Sequence, residues 1–137
     1  MIRDSKESFA IKAKGEKLQK DIEALLQGAF PDHANAIKSN KMSAHGEDIQ
    51  ITSSEAKRCI PFSFEAKWKR KGFTNIYSAY EQAERQVSNT ASTLDVSAVA
   101  VVQQEGHQPL IVMNLEDWLK LITRASASLA NDNREPE

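Results

Sequence analysis

Pro61-Phe62-Ser63-Phe64-Glu65-Ala66-Lys67-Trp68 is the stretch on which the reading of this chain turns. Aromatic and small residues alternate with polar ones along it. A β-strand sends successive side chains to opposite faces and rises about 3.3 Å per residue. Phe62, Phe64 and Ala66 then share an inner face, while Glu65 and Lys67 share the outer one at roughly 7 Å separation. Upstream, Gly46-Glu47-Asp48-Ile49-Gln50 alternates in the same way, with Asp48 and Gln50 on one face and Ile49 and Ile51 behind. Two neighbouring strands of this kind turn two carboxylates and one amine towards a common point. That set suits a divalent metal ion and a phosphodiester. Mg²⁺ takes oxygen ligands, keeps several waters, and is held by one or two carboxylates plus a substrate phosphate. Asp48 and Glu65 supply the carboxylates, and the backbone carbonyl of Ala66 lies between them and the amine. Lys67 can orient or help deprotonate an attacking water and offset charge gathering on the phosphorane. Taken alone, a Glu-x-Lys pair is an ordinary exposed strand pair. Its setting raises it: an aromatic strand after Ile60-Pro61, a Gly-Glu-Asp-Ile strand start, and the basic run Lys69-Arg70-Lys71 directly after it.

Outward from this pair of strands, apolar spacing at Leu18, Ile22, Leu25, Leu26 and Ala29 predicts an amphipathic helix over 12–27, ended by Gly28 and Pro31-Asp32. Residues 31–45 read as polar loop. Strands are expected over 47–52 and 62–68, with a turn or a single helical turn over 53–58 between them. A helix over 76–88 places Ile76, Tyr77, Tyr80, Ala83 and Val87 on one side, with Thr74 or Asn75 as its cap. Val96 to Val102 reads as a buried strand, Gly106 as a turn, and 110–113 as another strand. A last helix over 115–124 turns Leu115, Trp118, Leu119 and Ile122 inward. Residues 1–10 read as a mobile arm and 125–137 as a disordered tail. The order α-β-β-α-β-β-α predicts an α/β sandwich around one central mixed sheet, a single domain over 1–124.

The chain has 137 residues, enough for one substantial core. Its one cysteine, Cys59, excludes an intramolecular disulfide and a paired-cysteine metal site, and reads as a buried small residue before a strand. No apolar run approaches the roughly 18 residues of a membrane span, and the N-terminal stretch lacks an apolar signal-peptide segment. A cytoplasmic protein is the expectation. The net charge of −1 hides an asymmetry: residues 1–75 carry 14 Lys and Arg against 10 Asp and Glu, and residues 76–137 carry 4 against 9. The basic surplus thus accompanies the acidic motif, as it does around a nucleic-acid site. Lys38, Lys41, Lys57, Arg58, Lys69, Arg70 and Lys71 are the candidate phosphate contacts, which carry affinity and salt dependence but little sequence information. His33, His45 and His107 show no ligand spacing. Ser54-Glu55-Ala56-Lys57 matches a Ser-x-x-Lys motif with nothing to support acyl-enzyme chemistry. Trp118, Tyr77 and Tyr80 sit at helical spacing and read as core.

Gly46-Glu47-Asp48-Ile49, Phe64-Glu65-Ala66-Lys67 and the helical Tyr80-Glu81-Gln82-Ala83 together resemble the PD-(D/E)xK nuclease superfamily. Within it the chain looks most like small Holliday-junction-resolvase-like endonucleases, including phage-encoded ones, over roughly residues 12–122. The resemblance implies a restriction-endonuclease-like core, Mg²⁺-dependent hydrolysis of DNA phosphodiesters with Mn²⁺ as a substitute, a branched or four-way-junction substrate, and a homodimer. By position, Asp48 and Glu65 would be metal ligands, Lys67 the catalytic lysine, and Gln82 a helical glutamine supporting the site. The family's first helix often carries a glutamate facing the site. Here Gln19 stands nearest that position, with Glu23 and then Glu16 as acidic neighbours, and the proline that names the superfamily is replaced by Glu47 before Asp48. A non-catalytic DNA-binding module on the same fold, or a nicking or single-strand nuclease, are the alternatives.

Overall fold

In a computed structural model, residues 5–40, 48–88 and 96–132 are described. They fall into two compact units, Met1–Arg70 with Leu121–Glu137, and Lys71–Lys120.

The first unit is built on α1 (Ser5–Ala29), which packs against a two-stranded antiparallel sheet. That sheet pairs β1 (Ile37–Ser39) with β2 (Ile49–Ile51) in the register Ile37↔Ile51, Lys38↔Gln50 and Ser39↔Ile49. Alternation places Ile49 and Ile51 in the core with Gln50 outside, as the strand pattern predicts. Leu26, Phe30, Ile37, Ile49, Ile51, Ala56, Ile60 and Ile122 are the buried apolar side chains of this unit among the described residues. α1 stops where Phe30 leaves helical geometry (φ −128°, ψ 68°) ahead of Pro31, because proline disfavours helical geometry at the residue before it. A 3₁₀ turn over Pro31–Ala36 then leads into β1. After β2, Ser53 caps α2 (Ser54–Cys59): its hydroxyl accepts the Ala56 N–H at 3.1 Å. A short helix therefore stands where the sequence suggested a turn or one helical turn.

The second unit contains α3 (Thr74–Ser88) and a second antiparallel pair, β3 (Ala100–Val102) with β4 (Leu110–Val112). α3 packs on β3. Thr74 and Asn75 lie inside the first turn of α3 and do not cap it; the N–H groups of Ile76 and Tyr77 bond the Phe73 carbonyl. Gly106, at φ 83°, occupies the left-handed region that a side chain would strain, and closes the β3–β4 loop. α4 runs over Leu115–Asp132, with Leu119 and Ile122 buried.

Several expectations change. Among the described residues the strands form two separate two-stranded antiparallel sheets, so the broad mixture of helix and strand stands, but one central mixed sheet is not what these strands build. The segment 62–68 joins no ladder beyond one antiparallel bridge, Ile49↔Phe64. Pro61 has no N–H to give, and the Ala66 N–H is taken by a side chain. The stretch 96–102 is not buried throughout: Ala98 and Ala100 face inward, while Val101 is 67 % and its cross-strand partner Ile111 is 69 % exposed. Tyr77 is likewise exposed, whereas Tyr80 and Trp118 are half-buried. The first helix starts within the expected arm, at Ser5, and α4 passes its expected end at Arg124. Ala125, Ala127 and Leu129 are good helix formers and extend it.

Candidate functional site

Asp48 enters β2 and is held at three points. Its N–H donates to the Phe64 carbonyl at 3.1 Å, and its carbonyl accepts the Asn40 N–H at 2.8 Å. Its carboxylate oxygen Oδ2 accepts the Ala66 N–H at 2.6 Å. The last bond is the decisive one, because Ala66 lies between Glu65 and Lys67. The Asp48 side chain is thereby fastened to the Glu65-Ala66-Lys67 backbone, and it takes the amide that a strand partner would otherwise have bonded. Glu65 and Lys67 share the exposed face that alternation predicts, with Lys67 Nζ 3.7 Å from Glu65 Oε1. Phe64 and Ala66 are half-buried on the other side, and the Phe62 and Phe64 rings lie 6.4 Å apart in a tilted pair.

Behind Asp48 stands Gln19, only 3 % exposed, whose side-chain amide Nε2 donates to the Asp48 carbonyl at 2.9 Å. It grips the main chain of Asp48 and so acts on the carboxylate indirectly. Four residues along α1, Glu23 Oε2 accepts the Ser39 N–H. Four further on, Gln27 Nε2 donates to the Ile37 carbonyl at 2.9 Å. Residues four apart share a helix face, so Gln19, Glu23 and Gln27 form a polar ladder that bonds α1 to the backbone beside and within the β1–β2 pair. Hydrogen bonding from Ser39, aided by the nearby charges of Lys20 and Lys38, holds the Glu23 carboxyl below the usual carboxylate range in spite of its partial burial. Glu16 is exposed on α1.

A depressed carboxyl pKa in the folded state contributes stability above the unfolded value of about 4.3, and that stability is lost as pH falls through the folded value. Glu23→Gln is therefore expected to be less stable than wild type by about 1 kcal/mol near neutral pH. The gap should close in acid below the ordinary carboxylate range. Urea unfolding at neutral pH and at about pH 3 checks this, and a gap that persists unchanged in acid would show that Glu23 acts through packing alone.

Gln82 is exposed on α3 in the second unit. Lys38 is exposed on β1, opposite Gln50. Lys57 and Arg58 lie in the last turn of α2, where cations suit the helix C-terminus. Lys69, Arg70 and Lys71 are exposed; Arg70 pairs with Glu7, and Lys14 Nζ stands 5.3 Å from the centre of the Trp68 ring. Lys41, His45, Gly46 and Glu47 lie outside the described residues. One contact was not visible in the sequence: His33 Nε2 and Cys59 Sγ approach to 3.6 Å, both half-buried. Their thiol–imidazole contact accounts for a cysteine and a histidine that spacing had left unrelated.

The donors that Asp48, Glu65 and Ala66 could offer are all oxygen: two carboxylates and one backbone carbonyl. Their chemistry fits a hard cation that keeps several waters. The Ala66 bond uses one oxygen of Asp48, and a carboxylate has a second oxygen and further lone pairs to offer. Among the described residues no group of three or more His, Cys, Asp or Glu is placed to hold a metal ion, so the set is at most a two-carboxylate site there. No helix among the described residues is long and apolar enough to cross a membrane. The chain matches no protein-family model, no curated protein and no solved structure.

Proposed function

We propose that this protein is a Mg²⁺-dependent endodeoxyribonuclease of the PD-(D/E)xK type, acting on branched DNA in the manner of a Holliday junction resolvase. One observation carries the reading: the Asp48 carboxylate is bonded at 2.6 Å to the amide between Glu65 and Lys67. Nothing in ordinary strand pairing requires an aspartate there, and the bond sets Asp48 beside the backbone that carries Glu65 and Lys67, which supports assigning the three to one site. Asp48 and Glu65 would hold the metal, with the Ala66 carbonyl beside them. When bound, the metal would polarise the phosphate and lower the pKa of a coordinated water. Lys67 positions the attacking water and offsets negative charge on the reacting phosphate. Glu65, 3.7 Å from Lys67, keeps its carboxylate beside that amine on the exposed side of the segment. Gln19 keeps the Asp48 main chain in place, and Gln82 is proposed as a supporting residue. The basic side chains Lys38, Lys41, Lys69, Arg70 and Lys71 bind the DNA backbone.

The same proposal includes a restriction-endonuclease-like core, a cytoplasmic setting and Mn²⁺ as a working substitute. It also includes a C2 homodimer, because a junction is resolved by cuts in two symmetric strands. A non-catalytic DNA-binding role is the second reading, favoured by the site's having only two carboxylates among the described residues. A cleavage assay on four-way junction, flap, duplex and single strand, with Mg²⁺ and with EDTA, separates the two. Paired symmetric nicks on the junction, present only with the metal, are the expected result. Binding without cutting on every substrate, in Mg²⁺ and in Mn²⁺, would move the assignment to the second reading.

A further inference from the structure

We propose that Glu7 is a resident carboxylate on a backbone-phosphate site, and that a nucleic-acid phosphate takes its place on Arg70 when a strand docks along α1. The inference rests on the DNA-acting reading above and specifies where one phosphate binds. Glu7 Oε1 accepts a hydrogen bond from Arg70 Nη1 at 3.2 Å, and Lys14 Nζ stands 5.3 Å from the Trp68 ring centre. Seven residues make close to two helical turns, so Glu7 and Lys14 lie on one face of α1. The segment 68–70 runs along that face in the opposite direction. Lys17, one turn along α1 from Lys14, is paired with Asp21 at 2.7 Å, and Lys12 and Lys20 are exposed on other sides of the helix. Helix and segment therefore bring Lys14 and Arg70 to one face of α1, which begins beyond Glu65 and Lys67.

Within that face Arg70 is the group shaped for a phosphate. Its planar guanidinium offers a fork of N–H donors that accepts a carboxylate and a phosphate in the same geometry. The present occupant is held loosely. Both side chains are roughly half exposed, at 56 % for Arg70 and 42 % for Glu7, so water and salt weaken the pair. A backbone phosphodiester carries the same single charge and the same pair of acceptor oxygens as the carboxylate, and it outcompetes Glu7 because the strand brings many phosphates at once and releases their counterions on binding. Glu7 thus lowers the affinity of this face for polyanions until a strand is close enough to compete.

The test is fluorescence anisotropy with a labelled four-way junction and a labelled duplex, in EDTA so that nothing is cut. Wild type, Glu7→Gln, Arg70→Ala and the double variant are compared. Glu7→Gln is expected to bind about two- to fivefold more tightly at about 50 mM salt, with the gain fading by about 500 mM. In the Arg70→Ala background the same change should shift the Kd by less than about 1.5-fold, the residue of a general charge effect. An equal gain in both backgrounds, or no gain in either, overturns the proposal. Cleavage with Mg²⁺ is scored separately. Normal cutting without an Arg70-dependent gain removes this inference and leaves the nuclease reading. An Arg70-dependent gain in a protein that never cuts does the reverse. No binding by any of the four, with their circular dichroism intact, removes both.

Discussion

Asp48→Asn is expected to bind DNA much as wild type does and to cut it at least about a thousandfold more slowly. Asparagine keeps an acceptor oxygen of nearly the same shape, so the Ala66 N–H keeps its partner. The negative charge that would hold the cation is lost. The substitution therefore separates the observed role of this side chain, as a clasp on the Glu65-Ala66-Lys67 backbone, from its proposed role as a ligand. Asp48→Ala removes both. It leaves the Ala66 N–H without its acceptor in a half-buried position, at a cost of about 1–3 kcal/mol, and should melt at a lower temperature than Asp48→Asn. Single-turnover cleavage and thermal melts read the two effects independently. An Asp48→Asn protein that cuts within tenfold of wild type would mean that Asp48 is a clasp only. Glu65→Gln and Lys67→Ala alter exposed side chains, and should lose cutting with little change in melting.

Gln19→Ala should cost stability first and rate second. Gln19 is buried at 3 % exposure, and its amide holds the Asp48 carbonyl. Truncation removes that bond and opens a small void, for a loss of about 2 kcal/mol and a Tm lower by roughly 8 °C. At a temperature where the variant is still folded, kcat should fall about tenfold with KM little changed, since the group that contacts substrate is intact but less firmly placed. A Gln19→Ala protein with wild-type melting and wild-type rate would remove Gln19 from the site. One with lowered melting and an unchanged kcat would leave it a purely structural role.

The local geometry around Asp48 and Glu65 was the more legible part of the sequence. Period-two alternation reports which side chains share a face, and it placed Glu65 beside Lys67 and Ile49 behind Asp48 correctly. Alternation does not report hydrogen-bond partners. The segment 62–68 therefore read as a full strand although it makes one bridge, because the Asp48 carboxylate takes an amide a ladder would use. The same limit applied to α1. The four-residue spacing of Gln19, Glu23 and Gln27 is visible in the sequence, but their backbone partners lie 10 to 29 positions away. In Val96–Val102 composition misled: a run of apolar residues suggested burial on both faces, whereas the small alanines face in and Val101 faces out. Helix ends were misplaced because composition alone treated 1–10 and 125–137 as unstructured, and α1 and α4 extend into both.

The polar ladder on α1 also settles a question that apolar packing leaves open. Oily surfaces slide past one another at small cost, and a helix laid on a three-residue strand pair could rest in several positions. Sliding α1 by one turn moves every side chain about 5.4 Å along the axis. Gln19 would then reach no carbonyl at Asp48, Glu23 would lose Ser39, and Gln27 would lose Ile37. One buried and two half-buried polar groups would go unpaired together, and the penalties would add. The ladder thus works as a check on alignment: a helix shifted by one turn loses all three bonds together, and only the observed position keeps Asp48 held from behind.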